Sequence, residues 1–125
     1  MKQMEVVFCG NSIYLCGLAA GLQPIEQLRI RLVDNGLDKA MPELKMLCPD
    51  VVIFEAVNNT SEMIEVLCKE ASCLMIITVY PETDSIEVFS GKRYFTSSVD
   101  NLVQVITEAM LTNECFKKND YITSY

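Results

Sequence analysis

Residues 49–57 read PDVVIFEAV. Residues 51–54 are all apolar, and a strand without polar positions is typical of the middle of a parallel sheet that is covered on both faces. The run ends in one acid, Glu55. Because ligands bind outside the carboxyl ends of the strands in open parallel sheets, Glu55 is the first candidate for a site residue.

Strand-like and helix-like segments alternate on both sides of this stretch, which predicts a parallel sheet with helices on its two faces. Further apolar strands are predicted at residues 4–9 and 74–79. Residues 28–33 (LRIRLV) predict an edge strand, because apolar and basic residues alternate there. The helices between the strands are predicted to begin at Ser12, after Asn35-Gly36, and at Asn59 or Thr60.

The pattern changes after Pro81. Residues 83–98 (TDSIEVFSGKRYFTSS) have β-rich residues on both sides of Ser90-Gly91 and little helical periodicity, so they predict a β-hairpin or a strand-turn-strand unit. Ser98 then predicts the cap of a final helix. The apolar face of that helix is predicted to consist of Val99, Leu102, Val103, Ile106 and Met110.

Composition disfavours several classes of function. The chain has 125 residues, and its ten basic and seventeen acidic side chains give a net charge of -7, which opposes binding to a nucleic-acid backbone. No stretch approaches the ~20 apolar residues of a membrane helix, and the N-terminus has no cleavable apolar segment. We therefore expect a cytoplasmic protein without membrane or nucleic-acid partners. One domain is predicted over residues 1–112, followed by a frayed tail over residues 113–125.

Six cysteines are scattered along the chain without a CxxC pair, and there is no histidine. Cysteines inside apolar runs behave as small hydrophobic residues, so reduced, buried thiols are expected rather than a disulfide framework. A zinc site is not expected either, because paired ligand spacing is missing. The sequence predicts no metal and no cofactor.

Two stretches carry a resemblance to a known family: residues 9–22 (CGNSIYLCGLAAGL) and residues 35–55 (NGLDKAMPELKMLCPDVVIFE). Over residues 1 to about 110, the chain resembles a response-regulator receiver domain of the subfamily that carries a C-terminal helix-turn-helix. The resemblance implies a three-layer α/β fold of flavodoxin-like topology, with five parallel strands in the order 2-1-3-4-5. An added or antiparallel edge strand, or a β-hairpin, near residues 85–96 is expected to replace the family's fourth helix.

The resemblance also implies roles for residues at the strand ends. Glu55 stands at the phosphoacceptor position of the family. Thr78 matches the hydroxyl residue that follows the fourth strand, and Tyr94 matches the aromatic residue that changes rotamer on activation.

Other positions depart from the family. Cys9 and Gly10 stand where receivers have the two acids that hold magnesium, and Ser97 stands where they have an invariant lysine. Receiver phosphorylation requires a carboxylate nucleophile, a divalent cation held by oxygen ligands, and a cation that neutralises the phosphoryl oxygens. Only the carboxylate remains, so no catalytic residue and no aspartyl phosphorylation are expected. Cys9, Gly10, Asn11, Thr78 and Ser97 are predicted to line a degenerate neutral pocket.

Two interpretations of Glu55 remain open at this point. The side chain is either a built-in mimic of the phosphorylated state or a residual polar group that is hydrogen-bonded to backbone amides at a strand end. Both lead to the same functional hypothesis, a non-catalytic pseudo-receiver that signals or regulates by binding another signalling protein or a second copy of itself.

The alternative hypothesis is phosphoryl transfer through Cys9. This cysteine follows the first strand and precedes a helix whose N-terminus could stabilise phosphate, which resembles the small IIB subunits of sugar phosphotransferases. Those proteins have a longer amide-rich loop after the cysteine than the short turn at residues 10–12.

Overall fold

The computed structural model describes residues 3–70, 75–90 and 93–109. The strands are β1 (Met4–Cys9), β2 (Leu28–Val33), β3 (Val51–Glu55), β4 (Met75–Tyr80), β5 (Ser85–Ser90) and β6 (Arg93–Ser98). The helices are α1 (Ile13–Leu22), α2 (Leu37–Leu47), α3 (Thr60–Glu70) and α4, which occupies residues 102–109 after a 3-10 turn at Val99–Asn101. The predicted domain end at residue 112, the tail and Met110 lie outside the described residues.

The six strands form one sheet in the order β2-β1-β3-β4-β5-β6. The first four strands are parallel, β5 is antiparallel to β4, and β6 is antiparallel to β5. The α/β class and the order of the first four strands are therefore confirmed, and the arrangement is consistent with a flavodoxin-like fold. The hairpin predicted near residues 85–96 is also confirmed.

The position of the extra strand differs from the expectation. β5 lies between β4 and β6, so β6 runs in the same direction as β4 without being its neighbour. The prediction of an antiparallel strand at the edge of five adjacent parallel strands is wrong in this respect. The physical reason is the four-residue turn at 81–84, which can join antiparallel neighbours but is too short for the crossover that a parallel neighbour requires.

Side chains alternate between the two faces of the sheet and so build two separate cores. On one face, α1 and α4 cover residues such as Phe8, Ile53 and Ile86. On the other face, α2 and α3 cover residues such as Val52 and Phe54. Residues 51–54 are at most 2% exposed, which confirms that β3 is a central strand with both faces covered.

The helices begin where capping residues were predicted. Ser12 Oγ accepts the amide of Leu15 at 3.1 Å, and Ser98 Oγ accepts the amide of Asp100 at 3.2 Å. One residue of the predicted apolar face of the last helix was misplaced, because Val103 is 42% exposed while Leu102, Val105 and Ile106 face the sheet. None of the helices among the described residues combines the length and apolarity needed to cross a bilayer.

The hairpin leaves part of the sheet open on the side of α2 and α3. Glu87 and Phe89 of β5 are half-buried, whereas Tyr94 and Thr96 of β6 are exposed. Tyr94 keeps 55% of its surface, and its ring centroid lies 4.6 Å from that of Phe89. Phe89 packs against the core to which α3 contributes, whereas Tyr94 on the outer strand stays exposed.

Candidate functional site

A cleft of about 330 Å³ opens at the carboxyl ends of β1 and β3, where the strand order reverses. Such a position is the usual ligand-binding crevice of an open α/β sheet. Four of the predicted site residues line it together: Cys9, Gly10, Asn11 and Glu55. These four residues had been grouped in the sequence because they stand at the carboxyl ends of predicted strands, and the structure brings them to one cleft.

Glu55 is bound to the N-terminus of α1. The Ser12 hydroxyl donates a short hydrogen bond to Glu55 Oε1, and the same hydroxyl accepts the amide of Leu15 at 3.1 Å. Glu55 therefore contacts the helix N-terminus through Ser12 Oγ rather than through a direct hydrogen bond to a backbone amide. The first turn of α1 contains no acid, so β3 supplies the negative charge that favours a helix N-terminus.

Gly10 makes the turn from β1 into this helix. Its φ angle is +129°, in a region that side-chain-bearing residues rarely adopt, and its amide donates to the Val33 carbonyl at 2.8 Å. A Cβ atom at this position would lie 3.0 Å from Leu15 Cδ1. The backbone conformation therefore favours glycine, and a side chain here would also crowd the Leu15 methyl group.

Cys9 points away from Glu55, although both border the cleft. Cys9 pairs with Phe54 across β1 and β3, and both side chains belong to the core under α2 and α3. Glu55 is the next residue along β3 and so lies on the opposite face, where α1 packs. The Cys9 side chain is 3% exposed.

Thr78, Tyr94 and Ser97 do not join this group. Thr78 lies between Phe54 and Glu87 in the sheet, is 1% exposed, and its Oγ1 has no hydrogen-bond partner among the described residues. Tyr94 lies on the open sheet face. Ser97 is also on β6, where its Oγ accepts a hydrogen bond from Asn101 Nδ2 at 3.0 Å.

Tyr14 and Asp84 form a contact that the sequence did not predict. The Tyr14 hydroxyl donates to Asp84 Oδ1 at 3.0 Å, and the Asp84 carbonyl accepts the amide of Val99 at 2.9 Å. Asp84 thereby connects α1 to the start of the last helical segment. Burial, followed by the hydrogen bond to Asp84, raises the pKa of the Tyr14 hydroxyl. The partners are seventy residues apart, and no local sequence pattern links them.

A second cleft of about 410 Å³ borders Glu55 on the side of the β4–β5 turn. Its other lining residues are Ala56, Tyr80, Pro81, Glu82 and Thr83. Burial, followed by the charge of Glu87, raises the pKa of Tyr80. Glu55 thus separates two shallow clefts, one neutral apart from Glu55 itself and one that also contains Glu82.

The side chains that the structure describes do not form a metal-binding cluster. Residues 3–70, 75–90 and 93–109 contain no cluster of three or more His, Cys, Asp or Glu residues that could hold an ion. At the cleft, the donors nearest to the strand ends are a thiol, an amide and one carboxylate. This set does not match the oxygen-rich ligation that a hard divalent cation prefers.

Comparison with protein-family models, with curated proteins and with solved structures finds no match for this chain.

Proposed function

We propose that this chain is a non-catalytic regulatory module of the pseudo-receiver type, which acts by binding another protein or a second copy of itself. The observation that carries the proposal is the hydrogen bond from Ser12 to Glu55. It gives the carboxylate at the former nucleophile position a structural partner at the N-terminus of α1. A carboxylate held in this way stabilises the join between β3 and α1.

The neighbours of Glu55 support the same proposal. Receiver phosphorylation needs oxygen ligands for a divalent cation beside the nucleophile, and a cation for the phosphoryl group. Cys9 and Gly10 occupy the positions that the resemblance implies for those ligands, and Ser97 occupies the position implied for the cation. Ser97 lies on β6, outside the lining of the cleft.

The hairpin supports a role in binding. Receivers use the region around the fourth helix as their output surface, and here a pair of antiparallel strands stands in its place. On the side of α2 and α3, Tyr94 of this pair of strands is exposed and Phe89 is half-buried. A changed output surface favours a partner that differs from those of receivers.

Phosphoryl transfer through Cys9 is the competing proposal, because Cys9 lines the cleft just before α1. Two observations argue against it. The side chain is 3% exposed and belongs to the core under α2 and α3. A thiol in apolar surroundings is a poor source of the thiolate that nucleophilic attack requires.

The experiment is to incubate the full chain with Mg²⁺ and either acetyl phosphate or phosphoramidate, and to follow its intact mass. We expect no phosphoryl adduct with either donor. An adduct that Glu55→Gln removes would contradict the proposal in favour of receiver chemistry. An adduct that Cys9→Ser removes would contradict it in favour of a phosphocysteine enzyme.

A further inference from the structure

The sheet has two outer edges, formed by β2 and by β6. Among the residues that the structure describes, no strand pairs with either outer edge. An open edge presents unpaired backbone N–H and C=O groups, which are a template for pairing with another chain. The two edges of this sheet differ in the side chains that accompany those groups.

The β2 edge is protected by charge. Arg29 and Arg31 are both exposed on this strand, and Arg29 Nε lies 3.5 Å from Glu5 Oε1 on the neighbouring strand. Charged side chains on an edge strand oppose pairing with a second chain, because pairing would remove them from water. The β2 edge is therefore unsuited to association.

The β6 edge has the opposite character. Residues 94–98 (YFTSS) contain no charge and no proline. Tyr94 and Phe95 are 55% and 43% exposed, and as consecutive residues of a strand they lie on opposite faces of the sheet. Apolar surface is thus available on both sides of the same open edge.

Charges at the two ends of β6 favour one orientation of a partner strand. The strand starts at Arg93, which follows Lys92 in the sequence, and ends close to Asp100, which is exposed. Antiparallel pairing of two copies places the basic start of each strand next to the acidic end of the other. Parallel pairing places like charges together. With a net charge of -7 the two copies otherwise repel each other, so these two complementary contacts select the antiparallel arrangement.

We propose that β6 pairs edge to edge and antiparallel with β6 of a second copy, which joins the two sheets about a two-fold axis. This inference rests on the proposed function and names its partner. The interface is isologous, because the same strand is used by both copies. Directly opposed residues must lie on the same face of the sheet, so the two-fold axis passes between two copies of the same residue. If nearly the whole strand pairs, that residue is one of the two at the centre of β6, Phe95 or Thr96.

The proposal is tested by sedimentation velocity of the full chain over a range of protein concentrations. We expect a reversible monomer–dimer equilibrium. Phe95→Lys places a charge on the edge and should weaken the dimer at least about tenfold, which corresponds to roughly 1.4 kcal/mol. Tyr94→Lys, on the other face, should have the same effect. Leu32→Lys is the matched control, because Leu32 is 46% exposed on the opposite edge strand.

Amide hydrogen exchange of residues 94–98 gives an independent readout. Alternate amides should become more protected as the protein concentration rises. A chain that is monomeric at every concentration would overturn the inference, as would a dimer that both lysine variants leave unchanged. Protection that does not depend on concentration would also overturn it, since the edge would then be covered within a single chain.

The outcomes separate this inference from the proposed function. A monomer that takes up no phosphoryl group overturns the β6 pairing and leaves the non-catalytic function standing. A dimer that is phosphorylated at Glu55 or Cys9 overturns the non-catalytic function and leaves the pairing standing. Far-ultraviolet circular dichroism of each lysine variant verifies that a lost dimer reflects the edge and not a lost fold.

Discussion

At the scale of single residues, the Ser12 hydroxyl makes two hydrogen bonds. Ser12 caps α1 by accepting a hydrogen bond from the amide of Leu15, and its hydroxyl donates a hydrogen bond to Glu55 at the end of β3. The serine hydroxyl thus acts both as a hydrogen-bond donor and as a hydrogen-bond acceptor. The carboxylate gains a hydrogen-bond donor and a favourable position at the positive end of α1. Glu55 therefore has a structural task that does not depend on any ligand.

Replacing Ser12 should show how much these hydrogen bonds contribute to the free energy of unfolding. Ser12→Ala removes the helix cap and the partner of Glu55, and we expect the free energy of unfolding to fall by about 1–2 kcal/mol. Glu55→Gln retains a hydrogen-bonding side chain and should cost less. Glu55→Ala removes the acceptor altogether, so urea unfolding of Ser12→Ala, of Glu55→Ala and of the double variant measures the coupling, which should lie in the range of about 0.5–3 kcal/mol for residues in contact. Additive effects of the two substitutions would contradict a direct interaction.

The Tyr14–Asp84 contact makes a prediction about pH. Burial and the hydrogen bond to Asp84 raise the pKa of Tyr14 in the folded state above its value in the unfolded chain. Its contribution to stability is therefore complete below pH ~10 and is lost as the pH rises above that value. Asp84→Asn removes the acceptor charge, so the pKa of Tyr14 should fall towards its ordinary value.

Ring-carbon NMR of the tyrosines across the alkaline range measures this change. Tyr80 is the internal control, because its raised pKa comes from burial and from Glu87 rather than from Asp84. A Tyr14 titration that Asp84→Asn leaves in place would show that the contact does not persist in solution.

At the scale of elements, the hairpin is part of the core and not an appendage. Ile86 and Val88 of β5 are fully buried in the same cluster as residues of α1 and α4. β5 also pairs along its whole length with β4 on one side and β6 on the other. β5 is thus one of the inner strands of the sheet.

Truncation of a buried hairpin residue should therefore destabilise the whole domain. Ile86→Ala is expected to lower the free energy of unfolding by about 2–5 kcal/mol, as for other large-to-small changes in a core. Phe95→Ala, on the exposed edge, should cost less than about 1 kcal/mol in the monomer. Thermal unfolding of both variants at low protein concentration compares them. Equal effects would mean that β5 contributes little to the core.

The strands and helix starts of this chain could be predicted from the sequence because the features that determine them are local. The apolar run at residues 51–54, the caps at Ser12 and Ser98, and the turn residues at 90–91 all depend on near neighbours in the sequence. The position of β5 in the strand order could not be predicted in this way, because strand pairing depends on packing across the whole domain. The same limit explains Val103, whose exposure depends on how α4 is rotated on the sheet.

At the scale of the whole molecule, two cores on opposite faces of one sheet separate the candidate residues. Alternation along β1 and β3 sends Cys9 to one face and Glu55 to the other. Thr78 and Tyr94 belong to the Cys9 face, and Thr78 is covered while Tyr94 is open. Cys9, Glu55 and Thr78 were predicted at strand ends, whereas Tyr94 was predicted only from the resemblance to receivers. Which face each side chain occupies required the register of the strands, and this register is known only from the folded sheet.

The central claim is that Glu55 holds α1 and β3 together and does not accept a phosphoryl group. Titration of the full chain with beryllofluoride and Mg²⁺, followed by amide NMR, tests it most directly, with Glu55→Gln as the reference for non-specific salt effects. We expect the amides around Gly10, Ser12 and Glu55 to shift no more in the parent than in the variant. Saturable shifts around Glu55, Thr78 and Tyr94 that the variant lacks would contradict it.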